Sequence, residues 1–183
     1  MADLTLIIDN HCRGIISIPS ITVLIDQRNT VQHNLLSLPT GAELEASEVR
    51  FTALYDSICH TAIIYSAAVI FPLPPLTGIL RRFATVLKTI MKESQSDPDW
   101  RHCPKTLIWM LVLGGIAATD TPERKWYVQN LAAVSAALKI EEWEDVEEEL
   151  GAYLWLQSAC DAGGQLLWVE VVDERQARER VEC

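Results

Sequence analysis

From position 20 onward, apolar residues recur at steps of three and four, the spacing of one face of an α-helix. Ser20 is placed to cap a first helix that carries Ile21, Leu24, Ile25, Val31 and Leu35, with Pro39 and Gly41 closing it. A long second helix is predicted over residues 43–71, where Phe51, Leu54, Tyr55, Ile58, Ala62, Tyr65 and Val69 keep register. Pro72, Pro74 and Pro75 end it, because proline has no N–H to donate and its ring crowds the preceding turn. The clearest stripe follows over residues 76–92: Ile79, Leu80, Phe83, Val86, Leu87, Ile90 and Met91.

Residues 94–99 read as a polar linker. Pro104 suits the first turn of a fourth helix over residues 105–118, which is apolar almost all round and therefore expected at the centre. Gly114-Gly115 inside it costs about 1 kcal/mol per glycine relative to alanine, so a close approach of another backbone, or a kink, is expected there. Thr121-Pro122 reads as cap and first residue of a fifth helix with Tyr127, Leu131, Val134 and Leu138 inward. A sixth carries Trp143, Val146, Leu150, Tyr153 and Leu154. Gly163-Gly164 either breaks that helix or admits a tight neighbour before a last helix through Leu167, Trp168 and Val171. Residues 1–19 fit short strands or a helical turn equally, and residues 173–183 are charged and expected to fray. The fold class expected is all-α: one domain over residues 20–172, an antiparallel array of about six to seven helices.

Composition supports a packed interior. Of 183 residues 49% are apolar and only 22% charged, and six are tryptophan. Twenty-five acidic against 15 basic residues give a net charge of −10, which repels phosphate. The local group Arg81, Arg82, Lys88 and Lys92 falls on the polar side of a helix and reads as a solvated face, so direct nucleic-acid binding is not expected. Cys12, Cys59, Cys103, Cys160 and Cys183 are odd in number and scattered, and the N-terminus lacks a basic leader region. Reduced thiols in an intracellular protein are the expectation. The apolar runs at 61–76 and 107–118 are shorter or more interrupted than the roughly 20 residues of a membrane span, so no membrane association is expected.

Three Cys–His neighbours, His11-Cys12, Cys59-His60 and His102-Cys103, bring the soft ligands of zinc to mind. Adjacent helical residues point about 100° apart and seldom reach one ion, so no metal or other cofactor is expected. Asp56 and His60 stand four apart, where a carboxylate can orient an imidazole; with Cys59 they suggest a nucleophile, though adjacent residues do not form that geometry on a helix. Seven acids fall within residues 141–150. Trp143, Val146 and Leu150 leave them on the outer face, a solvated surface or a docking surface for a basic partner. No phosphate loop, nucleophile elbow or His-Glu-x-x-His motif names a reaction.

Several segments taken in order resemble the fungal-specific helical domain of fungal zinc-cluster transcription factors. They are residues 32–39 (QHNLLSLP), Leu107-Ile108-Trp109 running into residues 114–118 (GGIAA), residues 123–127 (ERKWY) and residues 143–146 (WEDV), then Leu154-Trp155-Leu156, residues 160–164 (CDAGG) and Leu167-Trp168. The likeness covers about residues 30–172. It implies an all-α regulatory region and a nuclear location, with the cytoplasm as the alternative. The family's six-cysteine zinc cluster, basic linker and coiled coil have no counterpart here, so its DNA contacts do not carry over.

The leading expectation is a regulatory or interaction module that senses a hydrophobic small molecule or binds a protein partner, with Trp109, Trp126, Tyr127, Trp155 and Trp168 as candidates to line an apolar pocket, although aromatics at helical spacing more often fill the core. The rival is a metal-independent cyclase or isomerase of secondary metabolism acting on a hydrophobic substrate. Its candidate catalytic residues are Asp56, His60, Asp120, Glu123 and Arg124. Self-association into a homo-oligomer is a third possibility, since an incomplete helical array would expose apolar faces.

Overall fold

The computed structural model describes residues 2–12, 14–15, 21–45, 52–71, 78–94, 100 and 102–182. Among these the chain is all-α, with no strand. The elements in order are α1 (Ala2–Cys12), α2 (Ile21–Leu36), the single turn α3 (Gly41–Glu45), α4 (Thr52–Tyr65), a π-helical stretch (Ser66–Ile70), α5 (Ile79–Glu93), α6 (Pro104–Ala117), α7 (Arg124–Ala137), α8 (Trp143–Leu150) and α9 (Gln157–Glu182).

α6 is the hub, in contact with α4, α5, α7, α8 and α9. Every residue from Ile108 to Gly115 is buried, which is why the helix is apolar all round: it has no solvent side for a polar face to occupy. α5 shows the opposite pattern. Leu87 and Met91 are buried and Arg81 and Arg82 exposed, as its stripe predicts, but Val86 is 42% exposed. Ala84 takes a fully buried place instead, and its carbonyl accepts from the Tyr127 hydroxyl of α7 at 2.6 Å.

The N-terminal segment is helical rather than extended, and Thr5 Oγ1 lies 2.9 Å from the Tyr65 hydroxyl of α4 in a buried contact. The helix expected over 43–71 comprises α3, α4 and the π-helical stretch, with residues 46–51 outside the described residues. Phe71 N–H bonds to Ser66 C=O at 2.7 Å, the wider i→i+5 closure, and the Ser66 hydroxyl donates to the Gln32 side chain of α2. By length and composition Ala53–Ile70 is apolar enough to cross a membrane, more than the sequence reading allowed, and 44% of that stretch is packed inside the molecule. The proposed cap Ser20, the register residue Phe51, Pro72, Pro74, Pro75 and residues 95–99 of the polar linker lie outside the described residues.

Thr121 does not cap α7. Its hydroxyl donates back to the Ala118 carbonyl at 2.8 Å, and the helix starts at Arg124. α8 stops at Leu150 and leaves Tyr153 and Leu154 in a turn. α9 then runs unbroken through Gly163-Gly164 and continues to Glu182, beyond the expected boundary at 172.

The glycines admit side chains, not a second backbone. A methyl group at Gly114 would lie 2.4 Å from Tyr127 Cε1, and one at Gly115 would lie 2.7 Å from Leu167 Cδ2. On the other side of the contact, Gly163 meets Ile116 and Gly164 meets the Trp143 ring. These four positions let α6, α7, α8 and α9 close on one another.

Candidate functional site: an apolar cavity between α5, α6 and α7

At the N-terminal end of α6 the packing is incomplete. A cavity of about 170 Å³ is lined by Met91 of α5, Leu107 and Leu111 of α6, Trp126, Asn130 and Val134 of α7, and Trp100. The spacing places them there: Leu107 and Leu111 are one turn apart, and Trp126, Asn130 and Val134 step along one face of α7. Trp100 is held by its Nε1–H, which donates to the Ser94 carbonyl at 2.8 Å. Asn130 Nδ2–H donates to the Trp126 carbonyl at 2.8 Å. The Trp126 ring stands edge-on to Tyr127, 5.0 Å between centroids. No ionisable side chain is among the described residues of this lining.

The five aromatic residues proposed for one pocket do not converge. Trp126 alone lines this cavity. Trp109 is buried, stacked on Tyr153 at 5.6 Å, and its Nε1–H donates to the Leu154 carbonyl at 3.1 Å. Tyr127 is fully buried, its phenol raised above the ordinary tyrosine value chiefly by burial. Trp155 donates to Asp161 Oδ1 at 2.8 Å and borders a separate polar groove beside α1 and α8. Trp168 is buried beneath the Arg175 guanidinium, 5.2 Å from its ring centre. Arg175 in turn donates to the Ile140 carbonyl at 2.9 Å and to the Ser135 hydroxyl, tying α9 to the end of α7. Sequence reasoning passed over Met91, Leu107, Leu111, Asn130 and Val134 as a site, because each is an ordinary member of an apolar stripe or a helix surface. The available signal was Asn130, a carboxamide one turn from Trp126 and from Val134.

The five catalytic candidates are likewise spread out. Asp56 Oδ1 accepts from Gly41 N–H at 2.8 Å, tying α4 to α3. His60 Nδ1 lies 2.9 Å from the Asp56 backbone carbonyl, so the helix backbone and not the carboxylate orients the imidazole. Glu123 precedes α7 as its N-terminal flanking residue. Arg124, with a side chain 12% exposed, donates to the Gly115 carbonyl at 2.6 Å and to Glu170 at 2.8 Å, joining α6, α7 and α9. Asp120, at φ 60°, pairs with Arg81 at 3.6 Å on the rim of a second groove of about 290 Å³ between α5, α6 and α9.

Cys160 borders that groove, and burial pushes its thiol up to about 11. Such a thiol is almost wholly protonated near neutral pH and makes a poor nucleophile. Among the described residues no group of three or more His, Cys, Asp or Glu side chains is placed to hold a metal ion. On the acidic face of α8, Asp145 accepts from Glu142 N–H at 3.4 Å at the start of the helix, while Glu149 pairs with Lys105 at 2.8 Å. No protein-family model, no curated protein and no solved structure matches the chain.

Proposed function

We propose that this chain is a non-catalytic helical regulatory module that senses a small apolar molecule, in the manner implied by its resemblance to the effector region of fungal zinc-cluster transcription factors, and without DNA binding of its own. The observation that carries the reading is the apolar cavity held between α5, α6 and α7. A ligand seated there touches three helices at once, so its binding free energy is spent on fixing their relative positions, which is what a sensor transmits. Segments that carry the resemblance supply α6, the start of α7 and the first half of α9. A nuclear location belongs to the same proposal.

The cyclase or isomerase reading draws on the second groove, where Asp120 stands beside Arg81. Their side chains are 79% and 52% exposed, so water screens the pair, and among the described lining residues the one enclosed ionisable group is the Cys160 thiol, which burial keeps protonated. Sensing therefore leads. Native mass spectrometry of the purified protein, with and without a small-molecule extract of the producing cells, tests both. A retained molecule of unchanged mass is expected; a molecule whose mass changes on incubation turns the reading to an enzyme, and protein that stays empty in the extract removes the sensor.

A further inference from the structure

We infer that the groove at the C-terminal end of α6 binds a free α-amino acid with an apolar side chain, whose ammonium and carboxylate pair with Asp120 and Arg81 at the rim. The groove lies at the opposite end of α6 from the cavity lined by Leu107 and Leu111. It goes beyond the sensing reading and does not depend on it.

The floor is apolar. Ile64 of α4, Val69 of the π-helical stretch, Leu80 of α5, and Leu113, Ile116 and Ala117 of α6 line a space of about 290 Å³. An apolar cavity of about 150 Å³ in another protein takes up benzene, so a branched or aromatic side chain has room on this floor. Covering such a side chain removes apolar surface from water and supplies the main hold on the ligand.

The rim supplies direction. Asp120 stands at φ 60°, a left-handed conformation that aspartate tolerates better than most residues. The turn around it is fixed by Thr119 N–H on the Ile116 carbonyl at 3.2 Å and Thr121 N–H on the Ala118 carbonyl at 3.1 Å. The Asp120 carboxylate lies 3.6 Å from the Arg81 guanidinium, and both side chains are open to water. A pair held that loosely binds itself weakly, so each member can exchange its partner for a ligand group of opposite charge. The helix ends agree in sign. α5 begins at Ile79, beside Arg81, and α6 ends at Ala117, beside Asp120, so the partial positive end lies with the arginine and the partial negative end with the aspartate. Residues 72–77, which precede Gly78, carry no ionisable side chain to offset either charge.

A cation and an anion side by side above an apolar floor match a molecule that carries the same three parts. An α-amino acid holds its ammonium and carboxylate on one carbon, a separation comparable with the 3.6 Å between Arg81 and Asp120. Laid antiparallel to that pair, it makes two ion pairs where a fatty acid or an alkylamine makes one.

The test uses the whole chain with ¹³C-labelled isoleucine δ1 methyl groups, titrated at neutral pH with leucine, 4-methylpentanoate, 3-methylbutylamine and glycine. Leucine is expected to bind in the millimolar range and to move the Ile64, Ile79 and Ile116 signals of the groove while leaving Ile108 and Ile140 in place. The acid and the amine, each lacking one charge, are expected to bind about fivefold more weakly, and glycine at least tenfold more weakly. Arg81→Gln and Asp120→Asn alter exposed side chains, and asparagine keeps the tolerance for φ 60°. Each is expected to weaken leucine about fivefold. Arg81→Gln should leave the amine unchanged, and Asp120→Asn should leave the acid unchanged.

If the acid or the amine binds as tightly as leucine, the paired recognition is wrong. If glycine does, the apolar floor plays no part and the ligand class falls. If neither variant weakens leucine, Arg81 and Asp120 do not hold it. If about 20 mM leucine moves none of the three groove methyls, there is no such site. The sensing reading stands in every one of these cases, because its cavity is at the other end of α6.

Discussion

The two ends of α6 solve the same problem in opposite ways. Towards its C-terminus, Gly114 and Gly115 omit side chains so that Tyr127 and Leu167 can fill the space, leaving no room even for a methyl group. Towards its N-terminus, Leu107 and Leu111 meet Trp126, Val134 and Met91 without closing, and about 170 Å³ stays open. The first is complementary in shape on the side of Tyr127 and Leu167, while its other side, through Leu113, Ile116 and Ala117, borders the 290 Å³ groove; the second is only apolar. Protein interiors are dense enough that the first arrangement is the rule, so an unfilled apolar volume beside the central helix is a place where something else can fit.

The largest expected effect tests the tight end. Gly114→Val puts its Cβ 2.4 Å from Tyr127 Cε1, adds two methyl groups beyond it, and is expected to cost about 4 kcal/mol. Urea denaturation followed by circular dichroism measures it. A loss below 1 kcal/mol would mean that the ring can move aside and that the two ends differ less than their geometry shows.

Next comes alkaline pH. Burial raises the phenols of Tyr127 and, on α4, Tyr65, the latter to about 12. A group whose folded pKa exceeds its unfolded value near 10 stabilises the fold fully below pH 10, and the contribution is lost as pH rises through the folded value. The urea midpoint is therefore expected to decline gently from about pH 9, the unfolded value of the raised Cys160 thiol, and to fall steeply above pH 10 as the phenols add to it. Tyr127→Phe should weaken that slope, and an unchanged slope would remove Tyr127 from the explanation.

At neutral pH, Tyr127→Phe keeps the ring against Gly114 but deletes the 2.6 Å bond to the Ala84 carbonyl. The expected cost is about 1.5 kcal/mol, well short of the glycine variant, because the ring's packing remains. Equal losses in the two variants would show that the hydroxyl, not the ring, holds α7 to α5.

The smallest effect has the opposite sign. Val134→Phe at the open end is expected to leave stability unchanged or raise it by about 1 kcal/mol, since it fills space rather than competing for it. A loss above 2 kcal/mol would mean that the cavity walls already stand at their closest approach and cannot accept a ring.

Periodicity alone gave the helical class, the central place of α6 and the Leu87 and Met91 positions of the inward face of α5, because it is a property of neighbours three and four residues apart, whereas Val86 faces solvent and Ala84 the core. It also placed the acidic run on a solvent face, where Glu141, Glu142, Glu144, Asp145 and Glu148 are exposed. Trp109, Trp126, Tyr127, Trp155 and Trp168 read as candidates for one pocket because all five are large aromatic side chains in predicted helices or beside them. Which of them meet depends on how the helices pack. Trp109 faces Tyr153, Trp168 faces Arg175, and Trp126 alone of the five opens on the cavity. The same limit held for Gly114-Gly115, whose omission of side chains was legible while the identity of the filler, a phenol 13 residues on from Gly114 and a leucine on α9, was not. A helical stripe fixes the direction in which a side chain points; what it meets there depends on helices distant in sequence, and a void is by nature the part of that meeting to which no residue contributes.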